Sequence, residues 1–212
     1  MIDILFEDKD AVFCVKPVGM SSETDLPDAL KEQLDGDIFT LHRLDTPVSG
    51  VMVYARNKTS AALYSKKIAE NHDFSKKYLV VCEGTFGEKT GVMEDLLFKD
   101  SRKNKSFVVS RERKGVKKAR LSYNVIAECE YKDKMFSLVE VTLCTGRSHQ
   151  IRVQFSSRKH ILVGDGKYGS KINSPIGLFS YAIETGDKAV RALPPYELPW
   201  NIFDQSVYKS KE

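Results

Sequence analysis

A chain of 212 residues and 24.0 kDa can bury a sizeable core, and 42% hydrophobic with 29% charged residues is the balance of a folded globule, not of a disordered or fibrous segment. No apolar run approaches the length of a membrane-spanning helix and no secretory leader opens the chain, so no membrane association and a cytoplasmic location are expected. The net charge of +4 excludes nothing alone, but from Arg102 to Arg120 nine lysines and arginines stand against Glu112, so this stretch carries +8 and the remainder −4.

Asp10-Ala11-Val12-Phe13-Cys14-Val15 is short, apolar and rich in strand formers, and it stops at Lys16-Pro17-Val18-Gly19, the pattern of a strand entering a turn. Helical spacing runs from Leu26 to Leu34, with Pro27 tolerated in the first turn. Val51-Met52-Val53-Tyr54-Ala55 reads as a buried strand ending at Arg56-Asn57, and Thr59 to Ala69 as an amphipathic helix with a basic outer face. Phe74-Ser75-Lys76-Lys77 leads into a buried strand from Tyr78 to Cys82. The basic stretch is expected to form hairpins, with long strands from Ala119 to Cys129 and from Met135 to Leu143. Thr145-Gly146-Arg147 reads as a turn, Ser148 as the N-cap of a helix from Gln150 to Ser157, and the proline-rich run from Leu193 to Trp200 as irregular coil. Cys14, Cys82, Cys129 and Cys144 stand far apart with no C-x-x-C, as befits reduced thiols and not a zinc or redox motif. Many strands with two or three helices among them make the fold class α+β with a mainly antiparallel sheet. No repeat, linker or composition break divides the chain, and a single domain over residues 1–212 is expected.

Two clusters carry chemistry. In Leu41-His42-Arg43-Leu44-Asp45, an extended backbone would send Arg43 and Asp45 to one face and His42 and Leu44 to the other. A carboxylate at a strand end beside a guanidinium suits a nucleophile that must stay ionised. On these residues alone, a surface Arg–Asp pair closing a turn is the commoner arrangement. The second cluster, Thr145-Gly146-Arg147-Ser148-His149-Gln150-Ile151-Arg152, gathers two arginines, a histidine and a glutamine at a helix start. There Ile151 and Phe155 share a face and Arg152 lies beside it, able to point inward, where it needs a carboxylate. Asp45 is the candidate partner. The N–H groups of the helix start, with Arg147, would suit a phosphate. The +8 stretch, interleaved with Phe107 and Val108, suits a phosphate backbone or is a solvated hairpin tip.

Taken in order, Lys16-Pro17-x-Gly19-Met20, then His42-Arg43-Leu44-Asp45 with Ser49-Gly50 after it, then Lys77-Tyr78, then Leu143-x-Thr145 through Val153, then Gly164-Asp165-x-x-Tyr168-Gly169 resemble the successive motifs of the RluA family of pseudouridine synthases. The resemblance runs from about Ile4 to Gly169. It implies a pseudouridine synthase core, a long bent mixed sheet, and a cofactor-free isomerisation of uridine in RNA. It also implies Asp45 as the catalytic acid, Tyr78 as the active-site tyrosine, Arg152 as the basic residue paired with the aspartate, and Arg43 as the side chain that fills the gap left by the extruded nucleotide. One carboxylate suffices because no water is added, unlike the acid–base pair of a glycoside hydrolase. Attack on C1′ to give an ester and removal of the C2′ proton both remain open. A phenol is a poor base at neutral pH, so stacking on the flipped uracil is the expected role of Tyr78.

RNA contacts are expected at Arg43, Arg147, His149, Gln150, Lys117 and Lys118. His42 is expected to be a hydrogen-bonded structural residue, and His72 and His160 to lie on the surface. No metal site is expected, since His42, Asp45 and His149 lack a further ligand. Val48 stands where the family has threonine, Gln154-Phe155 where it has His-Met, and Phe179-Ser180-Tyr181-Ala182 where Leu-His-Ala is usual. No small N-terminal RNA-binding domain is expected, so the core itself must hold rRNA or tRNA, as a monomer. A non-catalytic RNA-binding module of the same fold is the alternative, against which the intact Asp45, Tyr78 and Arg152 argue. A hydrolase using Ser148-His149 or Asp45 lacks a nucleophile elbow and a second placed carboxylate.

Overall fold

The strand-forming runs dominate the computed structural model, which describes residues 1–70, 72–186 and 188–209. It divides into two units, Met1–Lys77 with Phe179–Pro194, and Tyr78–Leu178 with Pro195–Ser210.

The first unit opens with a hairpin of β1 (Asp3–Glu7) and β2 (Ala11–Lys16), closed by Asp8, whose Oδ1 accepts the N–H groups of Asp10 and Ala11. β2 reads as a continuous apolar run because it is nearly all buried, with β1 on one side and β4 on the other. Helix α1 (Asp25–Leu34) buries Leu26, Pro27 and Leu30. β3 (Phe39–Thr40) and β4 (Ser49–Ala55) pair with each other, and β4 pairs antiparallel with β2. Asn57 starts α2 (Lys58–Glu70) by accepting the Ser60 N–H on its side-chain oxygen at 2.8 Å, as an N-cap does. Ala11, Phe13, Val51, Val53, Tyr64, Phe74 and Ile183 form a core of this unit between the sheet and α2.

The division falls within β5 (Ser75–Glu83). In the second unit β6 (Thr90–Asp100), β7 (Lys105–Val109), β8 (Val116–Tyr131) and β9 (Lys134–Leu143) are antiparallel neighbours, in the order β5-β9-β8-β6-β7. Lys132 and Asp133, both at positive φ, make the tight turn between β8 and β9. Helix α3 (Gln150–Ser157) buries Gln150 through Phe155, and its Val153 packs with Leu97, Ala119 and Tyr168. β10 (Leu178–Thr185) then lies parallel to β4, with Ser180 opposite Gly50, and antiparallel to β11 (Lys188–Arg191). The parallel pair makes the sheet mixed, and the class is α+β as expected.

The expected strands and helices are present, with β8 extending at both ends beyond Ala119–Cys129. Three expectations need correction. Residues 41–45 are not extended strand but irregular chain. His149, not Ser148, occupies the N-cap of α3. His160 is no surface residue: it is half-buried and stacks on Phe86 with ring centroids 3.8 Å apart. Lys117 and Lys118, adjacent in β8, point to opposite faces of the ladder. No helix among the described residues is long and apolar enough to cross a membrane.

Candidate active site

Asp45 belongs to the first unit, in the irregular chain between β3 and β4, where hydrogen bonds to neighbouring segments replace strand pairing. On its N-terminal side, the buried Ser22 hydroxyl donates to the Leu44 carbonyl at 3.0 Å and accepts the Leu44 N–H at 3.1 Å. Ser22 is itself held by Tyr54 of β4, whose hydroxyl donates to the Ser22 carbonyl at 2.8 Å. On the C-terminal side, Lys16 is fully buried and its ammonium donates to the carbonyls of Pro17 and Met20 at 2.8 Å and of Thr46 at 3.2 Å. The Gly19 N–H adds a bond to the same Thr46 oxygen at 2.9 Å, and the Val48 N–H closes the turn on the Asp45 carbonyl. Burial draws the Lys16 ammonium down to about 8, while the charges of Asp45 and Asp25 pull it back up. It therefore keeps at neutral pH the three donors that its carbonyl partners require. Both neighbours of Asp45 are pinned through their backbones, and its side chain is half-buried.

His42 has the structural role expected of it. Its Nε2 accepts the Val53 N–H at 3.3 Å, so that nitrogen carries no proton, and the ring meets Phe74 edge to face. Burial, and secondarily the cation of Lys76, pushes its pKa down to about 3, and the imidazole is neutral. Arg43 is exposed and paired with Glu23 at 3.3 Å.

Tyr78 and Arg152 belong to the second unit. Tyr78 is buried in β5. Arg152 forks onto Asp165, with Nε donating to Oδ2 and a terminal nitrogen to Oδ1, both at 2.7 Å, and the two side chains are 5% and 1% exposed. This is the planar bidentate pairing that lysine cannot make. The guanidinium also stands 5.2 Å from the centre of the Tyr168 ring. The Tyr168 hydroxyl accepts the Ser106 N–H at 2.9 Å and lies 3.1 Å from His149 Nδ1, while the Ser106 hydroxyl donates to the Ser148 carbonyl at 2.6 Å. Strand β7, the start of α3 and the Gly166–Tyr168 turn are thereby locked around Arg152.

Gln150 reaches back from the helix into the preceding turn. Its side-chain oxygen accepts the Arg147 N–H at 3.0 Å and the Thr145 hydroxyl at 2.8 Å, and its amide donates to the Arg120 carbonyl at 3.1 Å. Gln150 and His149 are both buried. Arg147 is exposed, and its Nε donates to the Lys118 carbonyl at 2.9 Å, which gathers Arg147, Lys118 and Arg120 at one place. Lys117 is exposed on the other side of β8. Among the described residues no three His, Cys, Asp or Glu side chains cluster so as to hold a metal ion.

Sequence reasoning missed Asp165, Lys16 and Ser22. Asp165 stands in a motif quoted above without a role, and the buried arginine that needs a carboxylate was the available signal. Lys16 likewise sits in a recognised motif. Ser22, a lone serine in a loop, gave no signal at all.

The RNA pseudouridylate synthase family model matches residues 8–157 of the chain. A tRNA pseudouridine synthase C of Haemophilus ducreyi is 30% identical over 187 residues, 79% of this chain and 74% of that protein. A ribosomal large subunit pseudouridine synthase D of Borreliella burgdorferi is 26% identical, covering 100% of this chain and 70% of its own length. The structure of human RNA pseudouridylate synthase domain containing 1 superposes with a TM-score of 0.80 over 94% of this chain and 85% of the other, at 23% identity, which speaks for a shared fold. With its motifs in order and its fold in place, the chain is a member of the RluA family of RNA pseudouridine synthases.

Proposed function

We propose that the protein isomerises uridines in structured RNA, tRNA or rRNA, with Asp45 as the reacting carboxylate. The observation that carries this is the loop around Asp45: the carbonyls of Leu44 and Thr46, on either side of it, are held by the buried side chains of Ser22 and Lys16. A group positioned in this way can meet a ribose without reorganising at the moment of reaction. The N1–C1′ bond of uridine breaks and a C5–C1′ bond forms, and the C5 proton is lost as N1 gains one, so no atom enters or leaves overall. Asp45 serves this by adding to C1′ as the uracil departs, or by taking the C2′ proton and returning it. Tyr78 stacks on the turned uracil, and Arg152, its plane fixed by Asp165, is the guanidinium that answers the carboxylate charge. Arg43, held only by an exposed ion pair, is free to exchange Glu23 for RNA. In this reading the protein acts as a monomer forming one catalytic domain. The two buried thiols, Cys14 and Cys82, suit a reducing compartment such as the cytoplasm.

The test is incubation with bulk uridine-containing RNA, followed by nucleoside analysis. Pseudouridine should appear with the parent protein and be absent with Asp45→Asn, which keeps the shape of the side chain. Retained RNA binding with no product from the parent would overturn the enzymatic reading, and release of free uracil would identify a hydrolase. Mapping pseudouridine in cellular RNA with and without the protein would then name the substrate.

A further inference from the structure

The outward face of the β6–β8 ladder carries a groove of about 630 Å³ that the reaction does not use. Its floor follows from the strand register: Leu96 of β6 stands opposite Val109 of β7 on one side and Lys118 of β8 on the other. Arg120, opposite Glu94, is the next residue of β8 on the same face, and Thr145 closes the groove beside it. The floor is therefore apolar and half-buried, while the rim is cationic. Arg147, tied to the Lys118 backbone, adds a third cation beside the rim, and an adjoining groove shares Val108 and Val109 and is bordered by Arg111 and Arg113.

The rim charges are loosely held. Lys118 meets Glu112 at 3.4 Å and Arg120 meets Glu94 at 2.9 Å, and all four side chains are more than half exposed. Pairs of this kind contribute little and exchange readily for phosphate oxygens. The acids lining the groove are already engaged, Glu94 by Arg120 and Asp95 by Arg158 and Gln154.

We propose that this groove is a second RNA subsite, which takes one unpaired nucleotide of the substrate at a distance in sequence from the uridine that reacts. The base lies on Leu96 and Val109, and its flanking phosphates meet Lys118, Arg120 and Arg147. The apolar floor of Leu96 and Val109 meets the face of the base and not its edge, so the subsite accepts any base. The inference rests on the reading of this protein as an RNA enzyme.

Its test is a binding measurement that needs no turnover. Fluorescence anisotropy of the Asp45→Asn protein is measured with an RNA stem-loop, with the same stem-loop carrying a single-stranded oligouridine or oligoadenosine tail, and with an abasic tail. Either base-bearing tail should tighten binding about tenfold, the contribution of one stacked base, and the abasic tail should not. Adding Val109→Asp, or separately Lys118→Glu, should remove the tail's contribution and leave the tailless stem-loop bound by the Val109→Asp protein as before. Crosslinks from 4-thiouridine in the tail should fall within β6 to β8. A tail that adds no affinity, an abasic tail that works as well, or a gain that survives both variants overturns the subsite while leaving the synthase reading intact. Failure to bind any of these RNAs overturns both.

Discussion

Replacing Asp165 with alanine should remove the bidentate carboxylate partner of Arg152 in the interior of the second unit. The side chains of Arg152 and Asp165 are 5% and 1% exposed and share two hydrogen bonds of 2.7 Å, so water cannot take the carboxylate's place without opening the packing around α3. Removing one partner of a buried ion pair costs about 3–5 kcal/mol, most of it the uncompensated desolvation of the charge left behind. The Tyr168 ring, 5.2 Å away, remains to return about 1–2 kcal/mol of cation–π attraction, but it does so in the parent as well and does not reduce the difference. For a chain of this size, such a loss lowers the melting temperature by roughly 6–20 °C. Trp200, the only tryptophan, is buried in the same unit and reports the unfolding by fluorescence in a urea titration. The double variant Arg152→Met, Asp165→Leu supplies the control: with both charges gone, stability should return toward the parent while pseudouridine formation stays lost. An Asp165→Ala protein within about 0.5 kcal/mol of the parent, or a double variant no better than the single one, would refute the account of Arg152 as a cation held by this carboxylate.

Acid should find His42. Its folded pKa of about 3 lies below its ordinary 6.5, so between these values the unfolded chain holds a proton that the folded chain does not, and stability falls as pH falls. The loss is about 2 kcal/mol by about pH 5, and it should be missing from His42→Gln in urea titrations across that range. Ser22→Ala leaves the Leu44 N–H and C=O without their partner, which should cost about 1–3 kcal/mol. The same change should lower kcat about 10- to 100-fold with KM for RNA unchanged, and Ser22→Thr, which keeps the hydroxyl, should recover part of it; an equal fall in affinity would count against positioning of Asp45. Gly50→Ala should destabilise by about 3 kcal/mol or more, because the residue sits at a φ of +122° and an added Cβ would run into the backbone of Ser180 across the parallel β4–β10 pair. Unchanged unfolding of that variant would mean the two strands separate at little cost.

The legible parts of this chain were those written in local pattern. β2, β4 and β5 announce themselves as short apolar runs, α2 by its period and its polar start, and the Asp45 loop by a motif that survives in order along the sequence. β10 was not read as a strand although Pro175 and Gly177 precede it and Gly186 follows it; its parallel partner β4 lies more than a hundred residues earlier, and nothing local announces that pairing. The N-cap of α3 was misplaced for a related reason. Serine is the usual residue there, but here a glutamine inside the helix reaches back to serve the turn, and the left-handed His149 takes the cap. Asp165 lies thirteen residues beyond Arg152, but nothing local marks which acid an inward arginine will choose.

The same contrast explains how the Asp45 loop can be both irregular and fixed. A strand or helix would satisfy its backbone groups by repetition and would turn alternate side chains into the core, which leaves little freedom in where a carboxylate points. Here the backbone is satisfied by side chains from elsewhere: a serine that both donates and accepts, and a lysine that spreads three bonds over Pro17, Met20 and Thr46. The cost is a fully buried ammonium, which burial has already drawn down to about 8. Above that pH the neutral amine has one donor fewer than its carbonyls need, so the hold on Thr46 should loosen first, being the longest of the three bonds at 3.2 Å. Folding stability moves the other way: the folded chain releases this proton before the unfolded chain does, so the Lys16 contribution to stability rises between about 8 and 10.5. A fall in kcat above pH 8 in a protein that unfolds no more easily would therefore be the mark of the loop itself, and Lys16→Arg, which stays charged throughout, should lack it.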